Sequence, residues 1–311
     1  MPKTVCKEMI IGSVDIGGSK IAVGAVTETG KVLSQLNDVT SPNAGFASAM
    51  QRIVCMLHNL AAQVGTRFSG IGVACPGPLD PFSGILGNVG TLPGWQGNSL
   101  IEPLEREFGV SIAIENDADA AAIAEATWGS GKRCDRFIFI TISTGIGGGI
   151  VLSGQLYRGV EGAHPELGHQ ILDASGPLCY CGARGCWEVL ASGPALVAWM
   201  RENHPAVDHI AAEEICTLAE QGNRIALQAV DREGYYLGLG LANLITLFAP
   251  DTIALGGGVM KSSHLFLKRA LKVIREVCTQ VPANKTRITL ASLKSDVGLA
   301  GAAQAWLCKY R

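Results

Sequence analysis

Charge is what this sequence has least of. Only 17% of its 311 residues are charged, where an average domain has about 25%. The 25 basic and 27 acidic groups leave a net charge of −2. No window is strongly basic, which argues against a nucleic-acid-binding surface. Long apolar runs are also missing. The stretch from Met9 to Val14 ends at Asp15, too short for a secretory signal. The most apolar later stretch, Leu237 to Ala249, is broken by Asn243 and closed by Pro250 and Asp251, short of the about 20 residues that span a bilayer. The expectation is a cytoplasmic protein with neither membrane nor nucleic acid as partner. In that reducing setting the ten cysteines read as buried thiols or metal ligands rather than disulfides.

The chain has apolar residues in plenty, 48%, which excludes disorder. Glycine is abundant too, at 39 residues, but without the triplet period of collagen. It gathers in clusters, where bare backbone can approach a ligand. Apolar runs at 9–16 and 21–26 flank Gly17-Gly18-Ser19-Lys20 and read as strand, tight turn, strand. Helical spacing marks 46–64, and a short buried strand at 71–74 enters Cys75-Pro76-Gly77-Pro78. Residues 79–99 read as loop. A strand at 111–114 meets Asn116-Asp117 and an alanine-rich helix to Trp128. Strands at 137–142 and 149–152 flank a second glycine turn. Beyond them, helices are expected at 193–203, 211–221, 223–248, 262–279 and 298–309, with strands at 252–255 and 287–291. Strands alternate with helices, so the class is α/β. The two glycine turns, about 130 residues apart, suggest a duplicated domain.

The glycine clusters fit neither common nucleotide loop. Gly145-Ile-Gly147-Gly148-Gly149 leads into a strand, whereas a dinucleotide-binding loop must open a helix. Gly131-Lys132 is followed by Arg133 and preceded at the required position by Ala126, which rules out a P-loop. Two hairpins whose backbone N–H groups face an anion remain, and together they suit a nucleoside triphosphate. Lys20 would add charge, and Asp15 would hold a hydrated Mg²⁺. Leu255-Gly256-Gly257-Gly258 is either an ordinary strand-to-helix turn or a close approach to a base and ribose.

Cys179, Cys181 and Cys186 fall within eight residues, with His169 ten upstream of the first. Such a set suits a closed, structural Cys₃His zinc site. Asn116-Asp117 is either a helix N-cap or a general base with its neighbour at a strand end. Glu166 and Glu188 lie close in sequence to the zinc motif. Acceptors so numerous suit a polyhydroxylated ligand such as a sugar.

Taken in order, Asp15-Ile-Gly-Gly-Ser-Lys20, Glu115-Asn-Asp117, Ser143-Thr-Gly-Ile-Gly-Gly-Gly149, Glu166-Leu-Gly-His169, Cys179-x-Cys-Gly-x-x-Gly-Cys-x-Glu188 and Asp296-Val-Gly-Leu-Ala-Gly-Ala302 resemble the ROK (repressor, open reading frame, kinase) family. Ser19 stands where threonine is usual. The resemblance implies duplicated actin-like ATPase (ribonuclease H-like) domains, two lobes around a cleft, and a homodimer. It puts the lobes at 1–116 plus 296–311 and at 117–295, the second carrying the zinc loop. It makes Asp117 the base that takes a sugar hydroxyl's proton. Asn116, Glu166, His169, Glu188 and Gly77 would meet the sugar, and His169 would also bind zinc. Asp15, Gly17, Gly18, Ser19, Lys20, Thr144, Gly145 and Gly147 would face the phosphates of Mg-ATP. Gly256, Gly257 and Gly258 would face its adenosine. Asn88 to Trp95 and Glu166 to His169 resemble the glucokinase branch, so glucose is the first expectation. N-acetylmannosamine, N-acetylglucosamine and fructose are the alternatives. The family's repressors carry a DNA-binding segment before the kinase-like body. Here the first phosphate strand begins by about residue 9, so the expectation is an enzyme rather than a regulator.

Overall fold

The first apolar runs form a hairpin, β1 (Ile10–Ile16) and β2 (Lys20–Thr27), in a computed structural model that describes residues 8–204 and 209–311. The antiparallel register brings Ile16 opposite Ile21 across the glycine turn. The edge strand β3 (Val32–Val39) follows. Helix α1 (Phe46–Val64) has the bounds its apolar spacing gives: Ala49, Met50, Ile53, Leu57 and Leu60 are buried along one face, the stripe of an amphipathic helix. Strand β4 (Gly70–Cys75) pairs parallel with β1. Then come α2 (Ile101–Phe108), β5 (Ile112–Asn116), parallel to β4, and α3 (Asp117–Trp128). The sheet order is β3-β2-β1-β4-β5.

Strands β6 (Arg136–Ile142) and β7 (Ile146–Leu152) form the second glycine hairpin. Gly147 and Gly148, expected in the turn, lie inside β7 together with Gly149, and the three pair with Thr141, Ile140 and Phe139. The turn itself is shorter, at residues 143–145. Next in the chain are β8 (Gln155–Leu156), α4 (Trp187–Ala191), α5 (Gly193–Asn203), α6 (Ala212–Glu220), α7 (Arg224–Phe248), β9 (Thr252–Gly256), α8 (Ser263–Val277), β10 (Arg287–Leu290) and α9 (Val297–Tyr310). Strand β6 pairs antiparallel with β7 and parallel with β9, which pairs parallel with β10. The order β7-β6-β9-β10 repeats β2-β1-β4-β5 in both sequence and direction. The duplication suggested by the two glycine turns is therefore present in the topology.

The chain divides into two compact units. The first joins the chain up to Lys132 with Gly154–His164 and Ser292–Arg311; the second holds Arg133–Ser153 and Pro165–Ala291. This division differs from the lobes drawn from sequence. Helix α3 packs with α9 and belongs to the first unit, as does the excursion at 154–164. The reason is burial: Ala118 to Ala124 of α3 and Ala300 to Ala303 of α9 are all buried, and small side chains let helices approach closely. The first unit's main core includes Ile53, Leu57, Ile71, Val73 and Trp95. The second's includes Ile138, Ile140, Trp187, Leu241 and Phe266.

Candidate active site

In the first unit, β1, β4 and β5 run parallel and end together, Asp15 opposite Ala74 and Cys75 opposite Asn116. Strand ends of this kind are where α/β sheets bind ligands. Asn116 is the N-cap of α3. Its Oδ1 accepts from the backbone N–H groups of Ala118 (2.9 Å) and Asp119 (3.3 Å). The capping and ligand-binding readings of this residue are compatible, because capping uses only the oxygen. Its Nδ2 lies toward Gly77, 3.3 Å from where a Cβ there would stand.

Asp117 opens α3, and its Oδ1 accepts from the Ala118 N–H at 2.8 Å. Burial pushes its carboxyl above the ordinary value, against the pull of that N–H and of His164, while Asp119 adds to the rise. Asp15 is pushed up to about 6, first by burial and then by the charge of Asp117, with Lys20 opposing. The Asp15 carboxylate lies against Gly298 near the start of α9, where a Cβ would stand 2.1 Å from Oδ2. Only glycine admits it there. The hairpin loop is held by its own backbone: Gly17 N–H donates to Lys20 C=O (2.8 Å), and the Thr40 hydroxyl donates to Gly17 C=O (2.6 Å). Gly18 packs on Thr91, while Ser19 and Lys20 are exposed.

The excursion at 154–164 supplies two basic side chains that sequence reasoning missed. Arg158 makes a bidentate pair with the buried Glu115. His164 Nδ1 lies 2.8 Å from Oδ2 of the fully buried Asp119. Nothing in the local sequence marks either pair, since the partners lie more than forty residues apart.

In the second unit, His169, Cys179, Cys181 and Cys186 bring their ligand atoms within 4.8 Å of one another. Cys179 Sγ is 3.6 Å from His169 Nδ1, and Cys181 Sγ is 3.5 Å from Cys186 Sγ. Zinc–sulfur bonds of about 2.3 Å in a tetrahedron give edges of roughly 3.8 Å, so the four residues fit zinc. Nδ1 faces the thiols, and Nε2 points away, 3.0 Å from the Tyr180 hydroxyl. Tyr180 is a residue the sequence gave no reason to select. Its phenol is pushed up to about 12, first by burial and then by the charges of Glu188 and Glu166. Glu188 is already anchored, its Oε2 accepting from Ile146 N–H at 2.9 Å. Gly145 makes room for it: a Cβ there would lie 2.3 Å from that oxygen. His169, Tyr180, Glu166 and Glu188 thus form one polar cluster.

The second unit also holds a cavity of about 400 Å³. Thr144, Gly193, Val197, Cys216, Gly258 and Lys261 are among its lining residues. Of the three glycines expected near adenosine, only Gly258 lines it. Gly256 ends β9 beside Phe139, and Gly257 makes the turn at φ +91°. The turn before β7 is pinned by Ser143 N–H to Gly145 C=O (2.8 Å) and Gly193 N–H to Ser143 C=O (2.9 Å). Among the described residues, no helix is long and apolar enough to cross a membrane.

Two units built on mixed sheets of one topology, each with a glycine hairpin, define the actin-like ATPase fold seen in sugar kinases. Residues 11–309 match the ROK family, and the chain belongs to it. The glucokinase of Thermotoga maritima is 30% identical, over 96% of each chain. Among solved structures, the ROK hexokinase of Thermus thermophilus superposes with a TM-score of 0.86 at 33% identity, covering 97% of this chain and 99% of that one. A ROK glucokinase from Streptomyces griseus, in complex with glucose and AMPPNP, gives 0.80 at 32%, covering 94% and 98%.

Proposed function

We propose that this chain transfers the γ-phosphoryl group of ATP to a hexose hydroxyl, glucose before other sugars, with Asp117 as the general base. The coarser class, an ATP-dependent sugar kinase, follows from the glucokinase relatives, one of them solved with glucose and AMPPNP. The observation that carries the finer reading is the position of Asp117. It is a half-buried carboxylate at the first residue of α3, just past the end of β5 and beside an asparagine whose amide nitrogen faces bare Gly77. Phosphoryl transfer asks mainly for positioning and charge stabilisation. Asp117 accepts the hydroxyl proton as the oxygen attacks phosphorus. The Asn116 amide donates to a neighbouring hydroxyl. Glu166, Glu188 and the outward Nε2 of His169 bind others.

His169 and the three cysteines would hold zinc, which would fix the ring of His169 and with it the direction of Nε2. Its role in this reading is structural. Mg²⁺ supplies charge neutralisation at the phosphates, and Asp15 would hold it through water. The adenosine takes the cavity beside Thr144 and Gly258. The homodimer belongs to the same reading and is tested by sedimentation.

The deciding experiment is a coupled ADP-release assay with glucose, N-acetylmannosamine, N-acetylglucosamine and fructose, compared by kcat/KM. Highest kcat/KM with glucose supports the reading. A higher value with an N-acetylated sugar or with fructose moves the substrate within the class. No ADP release with any of them, and with zinc loaded, overturns it.

A further inference from the structure

The end of β5 and the first turn of α3 concentrate negative charge. Glu115, Asp117 and Asp119 lie within five residues, and Glu115 and Asp119 are almost fully buried. An ionised carboxylate without a partner in such a place is strongly disfavoured. Each structural carboxylate has one. Glu115 takes the Arg158 fork, and Asp119 takes His164, whose own side chain is only 14% exposed. Of the three, Asp117 makes no ion pair among those of the described residues. The division suits a base, which must hold its charge loosely enough to accept a proton.

We propose that His164 is a positioning residue for the transfer: protonated against Asp119, it cancels the neighbouring carboxylate and so keeps Asp117 ionised. The inference rests on Asp117 being the base. Asp119 follows Asp117 by two positions on one helical turn, close enough for each charge to act on the other. The directions agree with this, since His164 favours the ionised form of Asp117 and Asp119 disfavours it. The other titratable groups around Asp117 are Asp15 on β1, with Lys20 on β2, Cys75 at the end of β4, and Glu115 with Arg158. His164 is also the last residue of the excursion before the chain re-enters the second unit at Pro165.

The test is the acid limb of the kcat/KM profile. His164→Gln should move its midpoint up by about half to one pH unit, a three- to tenfold loss on that limb. Asp119→Asn should move it down, and the double variant should return it toward the wild-type position. A residue with only a structural role would lower kcat/KM at every pH and leave the midpoint where it was. Should His164→Gln fail to fold, Asp119→Asn decides alone. Unmoved midpoints, with Asp117→Asn inactive, overturn the inference and spare the base. Wild-type turnover in Asp117→Asn overturns both.

Discussion

The Tyr180 hydroxyl lies 3.0 Å from Nε2 of His169, the two rings meeting edge to face with centroids 5.1 Å apart. The nitrogen that should receive a sugar hydroxyl is therefore already engaged by a phenol from the zinc loop. Substrate must displace that bond. Tyr180→Phe should lower KM for the sugar by about two- to tenfold, the worth of one net hydrogen bond. Steady-state kinetics would show it, and an unchanged or higher KM would mean that Tyr180 does not compete.

Asp117→Asn should lower kcat by about 10²- to 10⁴-fold while leaving zinc content and sugar binding in place. Because burial raises its carboxyl, the folded state favours the protonated form. That stabilising preference is fully present below the unfolded value and is lost as pH rises through the folded one. The asparagine variant should accordingly melt higher than wild type at pH 8, with the gap closing toward pH 4. Thermal melts at the two pH values check this.

The same shift sets the acid limb of wild-type activity. A base must be ionised, so kcat/KM should begin to fall at a higher pH than an unperturbed aspartate would give. A limb centred at or below the usual value of about 3.9 would contradict it.

Cys181→Ser should lose zinc and, with it, the orientation of His169. The expected outcome is a metal content well below one per chain and a sugar KM raised by tenfold or more, with KM for ATP changed far less. Full zinc occupancy by elemental analysis would show that the ligand set is different.

Filling the cavity beside Gly258 should affect the nucleotide alone. Val197→Trp puts a large ring into a space of about 400 Å³ and should raise KM for ATP at least tenfold without changing sugar affinity by calorimetry.

Much of this protein was legible from its sequence where one element carries one strong pattern. The apolar stripe of α1 gave both its ends. The zinc motif and the Asn116-Asp117 junction marked their places because their spacing is local. Three elements escaped. Strand β3 sits at a sheet edge, where Ser34, Gln35, Asn37 and Asp38 face solvent in part and blur the pattern. Helix α2 is short and contains Pro103, and α4 has only five residues. Within the site, Asp119 looked like one more residue of a helical turn and His164 like loop. Their pairing exists only once the excursion has folded onto the first unit. Tyr180 was hidden by the cysteines around it, which drew the eye to metal and away from the side chain between them.

The first unit is assembled from three separated stretches of chain, and the last of them contributes α9. During translation the whole second unit is therefore synthesised before its sequence-earlier neighbour has all its parts. The faces of β1 and β4 that α9 will cover must wait, apolar and uncovered, through the synthesis of some 160 intervening residues. That interval is when a nascent chain of this design is most exposed to aggregation and most dependent on chaperones.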